Sequence, residues 1–152
     1  MLAAEFANIK TLVGLEWEQT IDEVYQLVIE YTYRPVIPLL VTGIEKGIKN
    51  VIDEHSDHSK LYGNDLKNEI NKFLEKFQDE YADHPYLKQF ARIISFIYKD
   101  NFLRGKVADR ENIKGLNRNL VGHGNDKPNE WTKKDLYQLI AFFSSTAMLA
   151  NN

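Results

Sequence analysis

Two side chains with complementary chemistry lie close together in the segment NRNLVGHG, residues 117–124. An imidazole exchanges a proton near neutral pH, so His123 is a candidate general base or acid. The guanidinium of Arg118 stays charged and presents a planar fork of N–H donors that matches phosphate oxygens. Asn119 precedes His123 by four residues, on the same helix face, where it can orient the imidazole or contact a phosphate. Together these residue types predict a site that binds phosphate and transfers protons.

The spacing between the two residues sets a geometric condition on that site. Arg118 and His123 are five residues apart, which is about 140° around an ideal helix, so one regular helix cannot aim both at one atom. Glycines at 122 and 124 could end the helix and let His123 turn toward Arg118. Alternatively, two copies of the motif helix could share one cleft across a two-fold axis, with Gly115 and Gly122 permitting close approach. The sequence thus favours a homodimer formed through the motif helix, with both effects contributing.

The segment from Arg118 to His123 resembles the signature of the HEPN superfamily, in which an arginine, often followed by a polar residue, precedes a histidine by four to six positions. The resemblance implies an all-helical, usually dimeric ribonuclease without metal or other cofactor. It also implies attack by the ribose 2′-hydroxyl of single-stranded RNA, with a toxin-like or anti-phage role and an antitoxin or defence protein as a further partner. HEPN domains that pair with a nucleotidyltransferase often carry a tyrosine two residues past the histidine. This chain has Asn125 there, which disfavours that type.

Basic side chains precede the motif at helical spacing. Arg110, Lys114 and Arg118 fall at i, i+4 and i+8, and Asn117 adds a polar flank. With a net charge of −3, the chain has no overall attraction for nucleic acid, so a local stripe of this kind would have to guide RNA phosphates. We therefore predict that Arg110, Lys114 and Asn117 contact RNA, although such a stripe is also typical of a solvated helix face.

Structural alternatives exist for the same residues. Arg118 and Asn119 could form a hydrogen-bond network that ties the last two helices, and His123 could cap a helix C terminus. The protein would then be a non-catalytic dimerisation or interaction module, by itself or as part of a larger defence protein. The cluster DEHSDH at 53–58 contains metal-binding residue types, but solvation is the better interpretation, and we predict no metal site. Trp17 and Trp131 are expected to anchor the core or an interface.

Bulk properties indicate one ordinary globular domain spanning residues 1–152. The chain has no cysteine, which excludes disulfides and thiolate chemistry and fits a reducing cytoplasm. The N-terminal segment lacks the basic and apolar regions of a signal peptide. The longest apolar run, at 36–40, is far too short to span a bilayer, so no membrane association is expected.

Helical periodicity dominates the chain, because apolar residues recur every three or four positions and never alternate over a strand length. Pro35 and Pro38 should interrupt it, Pro85 should begin a helix, and Thr132 with Asp135 resembles a capping box. We predict an all-α, up-and-down bundle of about five to six helices. The predicted segments are 16–33, 37–54, 65–81, 85–102, 109–122 and the region after Thr132, with 2–13 as a short helix or a lead-in.

Overall fold

The computed structural model describes residues 2–55, 63–103 and 116–150, and within these ranges the protein is a helical bundle without β-strands. The predicted all-α class is confirmed. The helices are α1 (Leu2–Val13), α2 (Glu18–Ile29), α3 (Ile37–His55), α4 (Gly63–Glu80), α5 (Pro85–Phe96), α6 (Arg118–Gly122) and α7 (Lys133–Ala150). Seven helices are described rather than five or six, because residues 2–13 form a full helix. None of the described helices has the length and hydropathy needed to cross a membrane.

Helix α1 forms because its apolar residues share one face and find partners on three other helices. Phe6, Ile9, Leu12 and Val13 are buried, and α1 packs against α2, α3 and α7. Its C-terminal carbonyls are satisfied from α3, since Asn50 Nδ2 donates to Leu12 O at 3.0 Å and to Val13 O at 3.1 Å. The first and last helices therefore lie together in the core of the described fold.

Helix α2 ends at Ile29, four residues before the predicted boundary. Tyr31 adopts a left-handed backbone (φ 62°), and Thr32 N donates to Leu27 O across the helix end. This hydrogen bond satisfies a terminal carbonyl, in the pattern that commonly closes helices with a glycine at the left-handed position. The predicted break before Ile37 is confirmed, with Pro35 outside α3 and Pro38 in its first turn.

Helix α3 lies closest to its neighbours at two glycines. A Cβ built at Gly47 would lie 2.7 Å from Leu12 Cγ and Cδ2, and one at Gly43 would lie 2.9 Å from Phe143 Cε1. Side chains at either position would displace α1 or α7, so these glycines set the distance between the three helices. Helix α3 is thereby held firmly in the core, where it forms the base for the site described below.

Helix α5 begins at Pro85, as predicted, and its continuation at 97–102 widens into a π-helix. Tyr98 and Phe102 from this segment are buried against Phe142 of α7, with ring centroids 4.6 and 5.6 Å from it. The Tyr98 hydroxyl lies 3.2 Å from Thr146 Oγ1, which satisfies a polar group in the core. The predicted helix over 85–102 is therefore confirmed, with a change of helix type at its end.

The motif helix differs from the prediction. It begins at Arg118 rather than near residue 109, because Asn117 has an extended backbone (φ −117°, ψ 130°). Arg110 and Lys114 lie outside the described residues. A non-helical residue precedes Arg118. The prediction that one continuous helix carries Arg110, Lys114 and Arg118 is therefore wrong where it reaches Arg118.

The capping box at the start of α7 is confirmed. Asp135 Oδ2 accepts a hydrogen bond from Thr132 N at 2.7 Å, while Asp135 N donates to Thr132 Oγ1 at 3.3 Å. This reciprocal pair satisfies donors that the first helical turn leaves open. The final helix therefore begins where the sequence predicts.

Candidate active site

Asn117 begins helix α6 and is a structural residue. Its side chain is fully buried, and its Oδ1 accepts hydrogen bonds from Asn119 N at 2.9 Å and Leu120 N at 3.2 Å. Its Nδ2 donates to Asn101 O, which joins the motif to the end of the π-helix. This buried amide is engaged at both ends and holds the start of the motif helix in place, and contact of Asn117 with RNA stays a prediction.

His123 stands where α6 stops. It occupies the C-cap with a backbone that has left the helical region (φ −99°, ψ 7°), and Gly124 follows in the left-handed region (φ 67°). Asn125 N donates to Leu120 O at 2.9 Å, which closes the helix end. The glycine-assisted termination predicted from the sequence is confirmed, and so is the C-cap position that the structural alternative proposed.

A single open cavity of about 450 Å³ brings Arg118 and His123 together. Its remaining wall comes from α3 and from the short 3₁₀ turn before α2. The full lining comprises Trp17, Val41, Thr42, Glu45, Lys46, Lys49, Arg118, Gly122 and His123. Arg118 is partly buried, whereas His123 is exposed and its imidazole makes no hydrogen bond to a described residue. Both residues therefore line one cavity, at the place where α6 ends.

Arg118 is held by two side chains. Its Nε donates to Glu45 Oε2 at 2.5 Å, and its Nη1 donates to Asn119 Oδ1 at 3.0 Å. Asn119 therefore contacts the guanidinium, which is a positioning role that the sequence did not suggest. The ion pair between Arg118 and Glu45 ties α6 to α3. The structural alternative of a hydrogen-bond network at Arg118 and Asn119 is therefore present, but it joins α6 to α3 and not to the last helix. A guanidinium has five N–H donors, and described residues engage two of them, which leaves three that no described residue engages.

Glu45 is the electrostatic centre of the site. Its side chain is only 14% exposed, and burial alone would raise the pKa of its carboxyl. Hydrogen bonds from Arg118 and from Lys49, whose Nζ lies 2.9 Å from Glu45 Oε1, outweigh that effect together with their charges. The pKa of Glu45 therefore lies below its ordinary value, and the carboxylate is ionised at neutral pH.

The cavity lining is positive although the whole chain is negative. Lys46, Lys49 and Arg118 bring three positive charges against the one negative charge of Glu45. A further anion, Glu16, has its Oε2 3.7 Å from Lys46 Nζ, and its side chain is 81% exposed. An exposed pair of that kind is weak. The local excess of positive charge suits an anionic ligand.

Sequence inspection missed the α3 half of the site. Thr42, Glu45, Lys46 and Lys49 recur at i, i+3, i+4 and i+7, which marks one polar face of a helix whose other face is apolar. That pattern is the only signal for them, and it is equally typical of a solvated surface. Trp17 also lines the cavity, beyond the anchoring role expected for it.

No group of three or more histidine and carboxylate side chains that could hold a metal ion occurs in the described part of the chain. The cluster at 53–58 lies outside the residues whose side chains are described. The chemistry available in the cavity is therefore that of a guanidinium, two ammonium groups, a carboxylate and an imidazole. A scan of protein-family models and searches of curated proteins and of solved structures find no match to this chain.

Proposed function

We propose that this protein is a metal-independent endoribonuclease that cleaves single-stranded RNA at the cavity between α3 and α6. The observation that carries the proposal is the placement of Arg118 and His123 on the wall of one positively charged cavity. The HEPN resemblance names the same pair of residues. A guanidinium can stabilise the charge that develops on a phosphate, and an imidazole can take up the proton that transesterification releases.

In the proposed reaction the ribose 2′-oxygen forms a bond to phosphorus as the bond from phosphorus to the 5′-oxygen breaks. His123 accepts the 2′-hydroxyl proton as general base, and the 5′-oxygen takes a proton from water or from the protonated imidazole of a second copy as it leaves. Arg118 donates to the phosphate oxygens, on which negative charge develops. The products are a 2′,3′-cyclic phosphate and a 5′-hydroxyl. Asn119 and Glu45 act as positioning residues, since each accepts a hydrogen bond from the guanidinium.

Assembly is part of the proposal. One imidazole serves each cavity in the described fold, and a second copy of α6 near the first would supply another proton-transferring group. We therefore infer a cytoplasmic homodimer that acts in growth control or defence, alone or under an antitoxin-like partner. Sedimentation should give twice the 17.7 kDa mass of the chain. A strict monomer at micromolar concentration that still cleaves RNA would remove the dimer from the proposal.

The decisive test compares wild type with His123→Ala on an unstructured RNA in excess EDTA. Wild type should cleave in chelator and leave cyclic phosphate ends, because no step needs a metal. His123→Ala should be slower by about 10²- to 10⁴-fold, the usual contribution of general acid–base catalysis. His84→Ala is the matched control, since His84 is also exposed but stands at the start of α5, away from the cavity lining. RNA left intact by wild type under these conditions would falsify the nuclease proposal.

A non-catalytic interaction module is the second candidate, and the ion pair between Arg118 and Glu45 favours it. That pair ties a five-residue helix to the core, which is a sufficient structural reason for an arginine at this position. The module predicts that Arg118 variants lower the free energy of unfolding while every variant, like wild type, leaves RNA intact. The nuclease predicts that His123→Ala slows cleavage by about 10²- to 10⁴-fold and leaves the free energy of unfolding nearly unchanged, since the imidazole is exposed.

A further inference from the structure

Trp17 lines the candidate active site, and the proposed reaction does not use it. It ends the 3₁₀ turn Leu15–Trp17, is partly buried, and packs against the core. Its Cζ3 lies 3.6 Å from the position that a Cβ at Gly43 would take, so the ring lies beside α3. The indole N–H has no hydrogen-bond partner among the described residues. This side chain is anchored to the scaffold and still forms part of the cavity wall.

The other tryptophan shows what a purely structural indole looks like in this protein. Trp131 is 7% exposed, belongs to the core, and its Nε1 donates to Asp126 Oδ2 at 3.0 Å. Burial with a satisfied N–H is the usual arrangement for a tryptophan that serves packing. Trp17 departs from it in both respects, because it is only partly buried and its N–H is unpaired within the described residues.

The surroundings of Trp17 combine an aromatic ring with cations at the scale of one nucleotide. Lys46, Lys49 and Arg118 line the same cavity, whose volume of about 450 Å³ falls within the range of small-molecule sites. A nucleotide presents a flat base and an anionic phosphate, and proteins bind single strands by stacking bases on aromatic rings beside basic groups. Val41 adds apolar surface to the wall.

We propose that Trp17 is a stacking platform for one unpaired base of the RNA, with the adjoining phosphate held by Lys46, Lys49 and Arg118. The inference rests on the proposed function for the class of ligand and specifies how the single strand is bound. Since every base has a π-face, stacking selects single-stranded over paired RNA and discriminates weakly between bases. Arg118 thus serves both the phosphate of the bound nucleotide and the cleavage step.

The test is fluorine NMR of protein labelled with 5-fluorotryptophan, whose two signals are assigned with Trp17→Phe and Trp131→Phe. The probes are a short 2′-O-methyl oligoribonucleotide, which lacks the attacking hydroxyl, its abasic counterpart, and inorganic phosphate. The base-bearing strand should shift the Trp17 signal and leave the Trp131 signal in place. Trp17→Leu should weaken binding of that strand by about tenfold, within the range measured for base–aromatic stacking, and Trp17→Phe should weaken it less. Neither variant should change the affinity for the abasic strand.

The outcomes separate this inference from the nuclease proposal. A Trp17 signal that stays in place, or that shifts equally with abasic strand or phosphate, overturns the stacking platform. If wild type still cleaves RNA in a His123-dependent way, the nuclease proposal survives that result. A shift specific to the base-bearing strand, in a protein that cleaves no RNA, supports the platform and removes the catalytic role.

Discussion

Helix α3 has two faces, and different physical effects constrain the residues on each. One face, with Ile44, Gly47, Ile48 and Val51, is buried against the rest of the core. The opposite face, with Thr42, Glu45, Lys46 and Lys49, lines the cavity beside α6. The first face is limited by space, since a single Cβ at Gly47 would overlap Leu12. The second is limited by charge, since Arg118 and Lys49 hold the pKa of the buried Glu45 carboxyl below its ordinary value against the effect of burial.

The contrast between the two faces of α3 indicates which residues should determine stability and which should determine activity. A rigid, close-packed helix can carry a set of charges without their contributing much to folding, because the core supplies the positional precision. Substitutions on the packed face should therefore change stability first, and substitutions on the cavity face should change activity first.

The largest effect is expected for Arg118→Lys. An ammonium group keeps the charge but loses the planar fork, so we expect RNA cleavage to slow by about 100-fold or more, with a small change in stability. The measurement is a single-turnover cleavage rate beside a urea unfolding curve. Arg92→Lys is the control, because Arg92 is exposed on α5 and donates to Gln78 Oε1 at 3.3 Å. A full cleavage rate in Arg118→Lys would show that phosphate binding does not depend on the fork.

An intermediate effect is expected for Gly47→Ala, which places a methyl group against Leu12 and Phe143. Overpacking costs about 1–3 kcal/mol and outweighs the gain of up to about 1 kcal/mol from replacing a glycine within a helix. Gly122→Ala is the matched control at the cavity, where a Cβ meets nothing within 4 Å. Its effect should be neutral or slightly stabilising. Denaturant unfolding of both variants measures the contrast, which equal losses of stability would contradict.

The smallest effect is expected for Glu45→Gln and depends on pH. Folding lowers the pKa of Glu45. The ionised pair therefore stabilises the protein fully at a pH above 4.5, the ordinary pKa of this carboxyl. That contribution is lost as the pH falls through the lowered pKa of the folded state. Glu45→Gln should therefore cost about 1 kcal/mol near neutral pH, since one hydrogen-bond acceptor remains. The difference from wild type should disappear in acid.

Urea unfolding at stepwise lower pH tests this expectation. Glu16→Gln is the control, because Glu16 is 81% exposed and its pair with Lys46 is long at 3.7 Å. It should change the free energy of unfolding little at any pH. A cost for Glu45→Gln that stayed constant down to the acid limit would mean that the carboxylate charge is not what stabilises the pair.

Much of the fold was predictable because its signals are local. Apolar spacing predicts the helices, Pro85 marks the start of α5, and the reciprocal hydrogen bonds of Thr132 and Asp135 follow from residues three apart. The errors also have local causes. Helix α2 ends early at Tyr31, whose backbone is left-handed. Residues other than glycine seldom adopt that conformation, so a tyrosine gives no sequence signal for it. Asn117 is a good helix N-cap, and its capping role competed with a continuous motif helix.

The candidate site was likewise predictable only where its residues lie close together in the sequence. Arg118 and His123 are only five residues apart in the sequence, and the glycines on either side of His123 indicate that the helix stops there. Nothing in the order of residues joins Arg118 to Glu45, which is 73 positions away, or to Trp17. Those contacts exist because the core places α3 and the turn before α2 beside α6. Propensities, caps and turns act over a few residues and can be identified along the chain, whereas the charge balance and shape of a cavity depend on distances between helices that only packing sets.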